Sequence, residues 1–191
     1  MSKHTFILAI NPGSTSTKVA LYDAEQRVAT ESLSHSASEL APFSRIMEQK
    51  AFRTAIVRAF LEKNNLQPSD LAAVVGRGGL LTPMPSGTYR VTPDMLAYLE
   101  TAPLEHASNL GAPIAAALAT EGGIPAFIVD PVVVDEMEPV ARLSGIRQLE
   151  RVSIFHALNQ KAAARMAARE LGKAYHDTHL IVAHLGGGIS V

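Results

Sequence analysis

One short stretch, Asn11, Gly13, Ser14, Thr15, Ser16, Thr17 and Lys18, concentrates hydroxyls, backbone N–H donors and one cation in the space of a tight turn. Such a turn suits a phosphate. It differs from a P-loop, which needs a second glycine before its lysine and a helix after it, because Val19-Ala20-Leu21-Tyr22 continues as strand. The same residues also make an ordinary Ser/Thr-rich hairpin turn, and this stretch alone leaves both readings open. The second candidate is His184 followed by Leu185, Gly186, Gly187 and Gly188, where glycines let a backbone approach an anion closely and adopt positive φ. A plain flexible turn is its other reading. Three single residues complete the inventory. Arg77 sits among Gly76, Gly78 and Gly79, where it could be a surface cation beside a glycine turn. Asp130 stands before Pro131, where it could also cap a turn, and His156 could simply open a helix.

Positioning these residues requires a packed scaffold, and the hydrophobic pattern supplies one. Strands are predicted over 6–10, 18–23 and 28–34, joined by short turns into an antiparallel meander. Apolar residues then recur at helical spacing to Lys63, and a further apolar strand is predicted over 71–75. Helices are expected over 93–100 and 109–120, a strand over 125–129 that delivers Asp130, and an amphipathic helix over 156–171 stopped by Gly172. A last buried strand is predicted over 180–183. The run at 6–14 and the run at 180–188 share one plan of apolar strand, polar residue and small-residue turn. This reads as the start of a second copy of the opening, with one domain over 1–153 and the linking helix and first strands of another over 154–191.

Composition narrows the function. Apolar residues make up 47% of the 191, charged residues 18%, and the formal net charge is −1. Nothing in it offers the basic footprint that nucleic acid or an anionic membrane surface requires. Cysteine is absent, so disulfides, thiolate metal sites and a cysteine nucleophile are excluded. The opening apolar run is too short for a signal segment or a membrane span, and the expected location is cytoplasmic. Asp135, Glu136 and Glu138 read as a solvated acidic loop, and His4, His35, His176 and His179 as surface or packing residues without metal-ligand spacing.

The stretch from Ile10 to Lys18 resembles the signature of the acetate and butyrate kinase family, within the actin-like ATPase superfamily. Further matching segments are Gly76-Arg77-Gly78-Gly79-Leu80-Leu81, Glu105-His106-Ala107-Ser108-Asn109-Leu110-Gly111, Asp130-Pro131-Val132-Val133-Val134-Asp135-Glu136-Met137, Ser153-Ile154-Phe155-His156-Ala157-Leu158-Asn159-Gln160 and His184-Leu185-Gly186-Gly187-Gly188-Ile189-Ser190. Pro12, the segment at His156 and Gly187 are similar to the butyrate kinase branch. The resemblance implies an α/β fold, an actin-like (ribonuclease H-like) domain with a mixed sheet opened by the meander and flanked by helices. It implies ATP and ADP with Mg2+ as cofactors, a short-chain carboxylate as substrate, and assembly as a dimer or larger.

Residue roles carry over as implications of that resemblance. Asn11 would approach the transferring phosphoryl group and its magnesium, and Asp130 would help order the magnesium and the attacking oxygen, both meeting the ion indirectly. Arg77 would pair with the carboxylate or acyl phosphate, with His106 and Asn109 in the substrate pocket. His156 would donate a hydrogen bond to the phosphoryl group, and the two turns, Gly13 to Lys18 and His184 with Gly186 to Gly188, would hold nucleotide phosphates. The expected activity is transfer of the ATP γ-phosphoryl group to butyrate or a similar acid. An acetate or propionate kinase is the alternative within the class, and a non-catalytic nucleotide-dependent interaction module the alternative outside it. The chain reads as the front part of a longer enzyme, inactive alone, with its tail over 179–191 packed against a neighbour or folded back on the first domain.

Overall fold

The computed structural model describes residues 6–185 and 189–190. The chain divides into two compact units, Met1–Leu81 with Gly87–Val129 and Thr82–Ser86 with Asp130–Val191.

The first unit is built on a six-stranded mixed sheet. Its opening apolar run forms β1 (Phe6–Pro12), which buries Leu8 and Ile10 and ends where Pro12 and Gly13 turn the chain. β2 (Ser16–Asp23) returns antiparallel with Lys18 opposite Asn11, and β3 (Gln26–Ser34) completes the expected meander. Ser36 caps the short α1 (Ala37–Leu40) through a reciprocal capping box with Glu39. A 3-10 turn at Ile46–Gln49 leads into α2 (Lys50–Lys63), which buries Arg53, Val57, Phe60 and Leu61 on one stripe.

β4 (Leu71–Arg77) lies parallel to β1, with Gly76 beside Ile10. The short β5 (Thr88–Arg90) is followed by α3 (Pro93–Thr101), capped by the Thr92 hydroxyl, and by the Ala-rich α4 (Gly111–Gly122). Gly123, at φ +65, ends α4 in the left-handed conformation that stops helices at glycine. β6 (Ala126–Val129) pairs parallel with β4 and antiparallel with β5, so the strand order is β3-β2-β1-β4-β6-β5. The core closes as Leu8, Ile10 and Val74 from the sheet meet Val57, Leu61, Ile114 and Leu118 from α2 and α4. β5 escaped the sequence reading because three residues show no period of their own; pairing with β6 supplies the strand.

In the second unit, Met84 bridges to Val134, and β7 (Leu143–Ile146) forms a hairpin with β8 (Leu149–Glu150). α5 (Ala157–Glu170) follows as expected and ends before Gly172, at φ +66. β9 (His184–Leu185) pairs with β10 (Ile189–Ser190). The buried strand expected over 180–183 is not formed: Ile181 is 91% exposed, and no described strand pairs with this segment. Its Val182 carbonyl accepts instead from Gln160 Nε2 on α5 at 3.1 Å, because a backbone polar group without a ladder takes a side-chain partner. The units are compact clusters and do not bear on the duplication boundary drawn near Ser153.

Candidate functional site

In the first unit the parallel pairing of β1 and β4 brings Asn11 and Arg77 together at the carboxyl ends of neighbouring strands. Ligands of open α/β sheets commonly bind at that edge. Arg77 Nη1 donates to Asn11 Oδ1 across a long 3.4 Å, and loss of hydration lowers the guanidinium's pKa from its ordinary value. His106 is pulled below the usual histidine range, first by lost hydration and then by the charge of Arg77, which places its ring in the same field. Its Nδ1 accepts the Ser108 N–H at 3.2 Å and shares a 2.7 Å hydrogen bond with the Ser108 hydroxyl.

The glycines around Arg77 are explained by close backbone approach. A Cβ on Gly76 would lie 2.2 Å from the Gly111 carbonyl oxygen, and one on Gly111 2.0 Å from the Arg77 oxygen. A Cβ on Gly79 would lie 2.7 Å from Asn109 Cα. Asn109 is buried, with both ends of its amide engaged: Oδ1 accepts from the Leu80 N–H at 2.8 Å and Nδ2 donates to the Leu104 carbonyl at 3.0 Å. Arg77 therefore projects from a backbone wedged against the start of α4.

The Ser/Thr turn lies beside Asn11. Ser14, Thr15 and Lys18 are exposed and Thr17 is buried. Behind the turn sits Arg53, fully buried on α2, a residue that the sequence reading missed. Its Nη1 donates to the carbonyls of Gly13 at 2.7 Å and Ser16 at 3.2 Å and to Thr17 Oγ1 at 3.2 Å. Nη2 donates to the Ser14 carbonyl at 3.1 Å, and Gln49 Oε1 accepts from Nε at 3.0 Å and Nη2 at 2.7 Å. Thr17 Oγ1 also shares a 2.8 Å hydrogen bond with Nε2 of buried His35, whose ring packs edge-on against Phe52. Burial and then Arg53 lower the His35 pKa, favouring the neutral ring. The available signal was position: Arg53 occupies the apolar stripe of α2 four residues before Val57, where an unaccompanied charge demands a reason.

The second unit carries Asp130, His156 and His184. Asp130 follows β6, is buried, and has a positive φ of 37°, a conformation that costs a non-glycine residue energy and recurs at functional sites. Arg165 Nη1 lies 3.9 Å from its Oδ2. His156 occupies the N-cap position of α5 and stacks on His184, ring centroids 3.8 Å apart and planes within 9°. Asn159 Nδ2 lies 3.0 Å from His184 Nδ1. Gly186, Gly187 and Gly188 lie outside the described residues. Glu136, expected in a solvated acidic loop, accepts from Lys161 at 2.8 Å and from the Ser86 N–H at 2.9 Å, and these bonds hold its pKa down to about 2. Asp135 is held bidentately by Arg142 at 2.9 and 3.0 Å. Among the described residues no cluster of three or more His, Asp or Glu is arranged to hold a metal ion. The donor set offered by Asp130, a single buried carboxylate, fits a Mg2+ that keeps most of its water and phosphate ligands.

This fold is shared with known carboxylate kinases. The structure matches the acetate kinase of Porphyromonas gingivalis with a TM-score of 0.67 and 18% identity, covering 97% of this chain and 53% of that one. It matches a propionate kinase from Francisella tularensis with a TM-score of 0.53 and 19% identity at the same coverage. The mixed sheet with its flanking helices is the actin-like ATPase fold expected from the sequence. At the level of sequence the chain is similar to butyrate kinases. It is 54% identical over 186 residues to a probable butyrate kinase of Enterococcus faecalis and 52% identical over 186 residues to butyrate kinase 1 of Clostridium acetobutylicum, in each case across 97% of its own length. The chain spans about half the length of these curated relatives, 51% and 52%. No family model matches it.

Proposed function

We propose that the protein is a carboxylate kinase, transferring the γ-phosphoryl group of ATP to butyrate or a similar short or branched acid and reversibly giving acyl phosphate and ADP. The observation that carries this reading is the pairing of Arg77 with Asn11 at the carboxyl ends of β4 and β1, beside a turn of exposed amides and hydroxyls. A pure nucleotide switch has no use for a wedged, partly desolvated guanidinium; a planar fork for a carboxylate does.

A carboxylate oxygen attacks the γ-phosphorus, a new P–O bond forms, and the bond to the β-phosphate oxygen breaks with its electron pair leaving on ADP. No proton moves, because the acid is already ionised, and no enzyme base is needed. What the protein supplies is alignment and positive charge around the equatorial oxygens. Arg77 orients the carboxylate and draws charge from the acyl phosphate as it forms. Asn11 and the amides of Ser14 and Thr15 address the phosphoryl oxygens, and His156, by the resemblance, would donate to a phosphoryl oxygen. Asp130 would hold Mg2+ through water, and the ion supplies charge neutralisation on the phosphates. The same reading includes a dimeric or larger assembly, a cytoplasmic location and a second, nucleotide-side domain from residue 154 onward.

The test is acyl phosphate formation by the full-length protein from ATP with acetate, propionate, butyrate and isobutyrate, trapped as hydroxamate. One methylene is worth roughly 1–3 kcal/mol in an apolar pocket, so kcat/KM should rise at least about tenfold from acetate to butyrate. An acetate optimum would move the assignment to the acetate kinases. ATP binding without acyl phosphate from any acid would point to an interaction module instead.

A further inference from the structure

We propose that Arg53 is a positioning residue for the turn at residues 13–17, drawing the turn's carbonyls inward so that its amides face outward as an anion receptor. The identity of the anion as a transferring phosphoryl group rests on the carboxylate kinase reading; the polarity of the turn does not.

Each carbonyl from 13 to 16 is engaged from behind. Arg53 takes those of Gly13, Ser14 and Ser16, and the Thr15 carbonyl accepts from the His35 N–H at 2.8 Å. The Ser16 carbonyl also accepts from the Gly13 N–H at 2.7 Å. The N–H groups of Ser14 and Thr15, on two exposed residues, find no acceptor among the described residues. A loop whose carbonyls are sequestered and whose successive amides stay open presents a concave positive field, the arrangement that backbone anion sites use.

Only one side chain can build that arrangement from a helix. The guanidinium has donors in a fixed planar fork, so it meets three carbonyls and a hydroxyl at once, where an ammonium would meet fewer in less defined directions. Gln49, one helical turn away, accepts from two of its nitrogens and fixes the fork's orientation. No carboxylate forms an ion pair with Arg53 among the described residues. Neutral dipoles offset a buried charge only in part, and the lowered pKa of Arg53 is in keeping with this. The remaining charge lies directly behind the amides, where an anion in front of the turn relieves it.

The experiment uses the full-length protein and its Arg53→Lys and Gln49→Met variants, with two readouts. The first is steady-state kinetics with the carboxylate varied. The second is titration with inorganic phosphate, followed through the backbone amide resonances of Ser14 and Thr15. Small displacements of a positioning group cost up to about 100-fold in rate, so Arg53→Lys should lower kcat at least about tenfold while the carboxylate KM, set by Arg77, stays within about threefold. In the parent, phosphate should shift both amides, and Arg53→Lys should weaken that response at least about fivefold. Gln49→Met leaves Arg53 in place with a looser fork and should move both readouts the same way by less; it decides the matter if Arg53→Lys fails to fold. The proposal is overturned if the parent amides ignore phosphate. It is also overturned if folded variants keep both kcat within about twofold and the phosphate response, which would leave Arg53 a tie between α2 and the hairpin. If the parent forms no acyl phosphate at all, the kinase reading fails while the phosphate titration still judges Arg53.

Discussion

The proposed carboxylate grip depends on Arg77. A guanidinium meets a carboxylate with two parallel charge-assisted hydrogen bonds; lysine keeps the charge and loses the fork. Arg77→Lys in the full-length protein should therefore remove at least about 2 kcal/mol of transition-state stabilisation, roughly thirtyfold in kcat/KM for the carboxylate. The KM for ATP should change far less. Steady-state kinetics with each substrate varied measures both, and a variant within about twofold of the parent for butyrate would rule out the grip. The candidate residues stood out in the sequence where residue type and local setting agreed: a guanidinium among glycines, a hydroxyl-rich turn after an apolar strand. Arg53 and His35 did not, because their roles arise from chain segments separated by 36 and 18 positions meeting at Thr17. No local pattern announces such a meeting. Asn109 is similar, since its two bonds to Leu80 and Leu104 also brace the loop that follows Arg77.

At the scale of elements, the strands and helices with a clear period were legible, and their pairing partners were not. β1, β2, β4 and α5 follow from apolar runs and helical spacing, whereas β5 and the β7–β8 hairpin owe their existence to neighbours. The segment over 180–183 errs the other way: an apolar run suggests a buried strand, but a strand forms only where a ladder awaits it. The junction of β4 with α4 shows how far glycine spacing encodes geometry. Gly111 has ordinary helical angles, φ −59 and ψ −51, so alanine there should gain up to about 1 kcal/mol in helix propensity. Its Cβ would nevertheless lie 2.0 Å from the Arg77 carbonyl oxygen, a backbone atom at the carboxyl end of the interior strand β4. Overpacking of this kind costs about 1–3 kcal/mol or more, and the clash should win. Gly111→Ala is expected to lose at least about 1 kcal/mol in denaturant unfolding and to lower kcat/KM for the carboxylate by displacing Arg77. An unchanged denaturation midpoint would mean that α4 slides freely away from β4.

Across the whole molecule, burial is distributed unevenly between the two units. The largest fully buried side chains, Leu8, Ile10, Leu61, Leu99, Leu110, Ile114, Leu118 and Ile128 among them, all belong to the first. The second buries Val132, Val133 and Val134 with three alanines of α5, and it exposes Leu143, Ile146, Leu149 and Val152. Since a fully buried Leu or Ile contributes about 1.5–3 kcal/mol and an alanine much less, the second unit should open at lower free energy. Its polar ties do not close that gap, because partly exposed ion pairs are worth at most about 1 kcal/mol. The Glu136 tie is also sensitive to acid. Its folded pKa, about 2, lies below the ordinary value of 4.5, so its contribution is complete above 4.5 and is lost as pH falls toward 2. The Arg142 guanidinium depresses Asp135 in the same direction. In native-state hydrogen exchange at neutral pH, amides of β1, β4 and α4 should be protected at least about 100-fold more than those of α5, a difference of roughly 2.7 kcal/mol. Lowering the pH from 6 to 3 should widen the contrast, after correction for intrinsic exchange. Equal protection in both units would overturn this account. The turn and Arg77 rest on the sheet of the first unit, while Asp130 and His156 belong to the unit expected to open more easily.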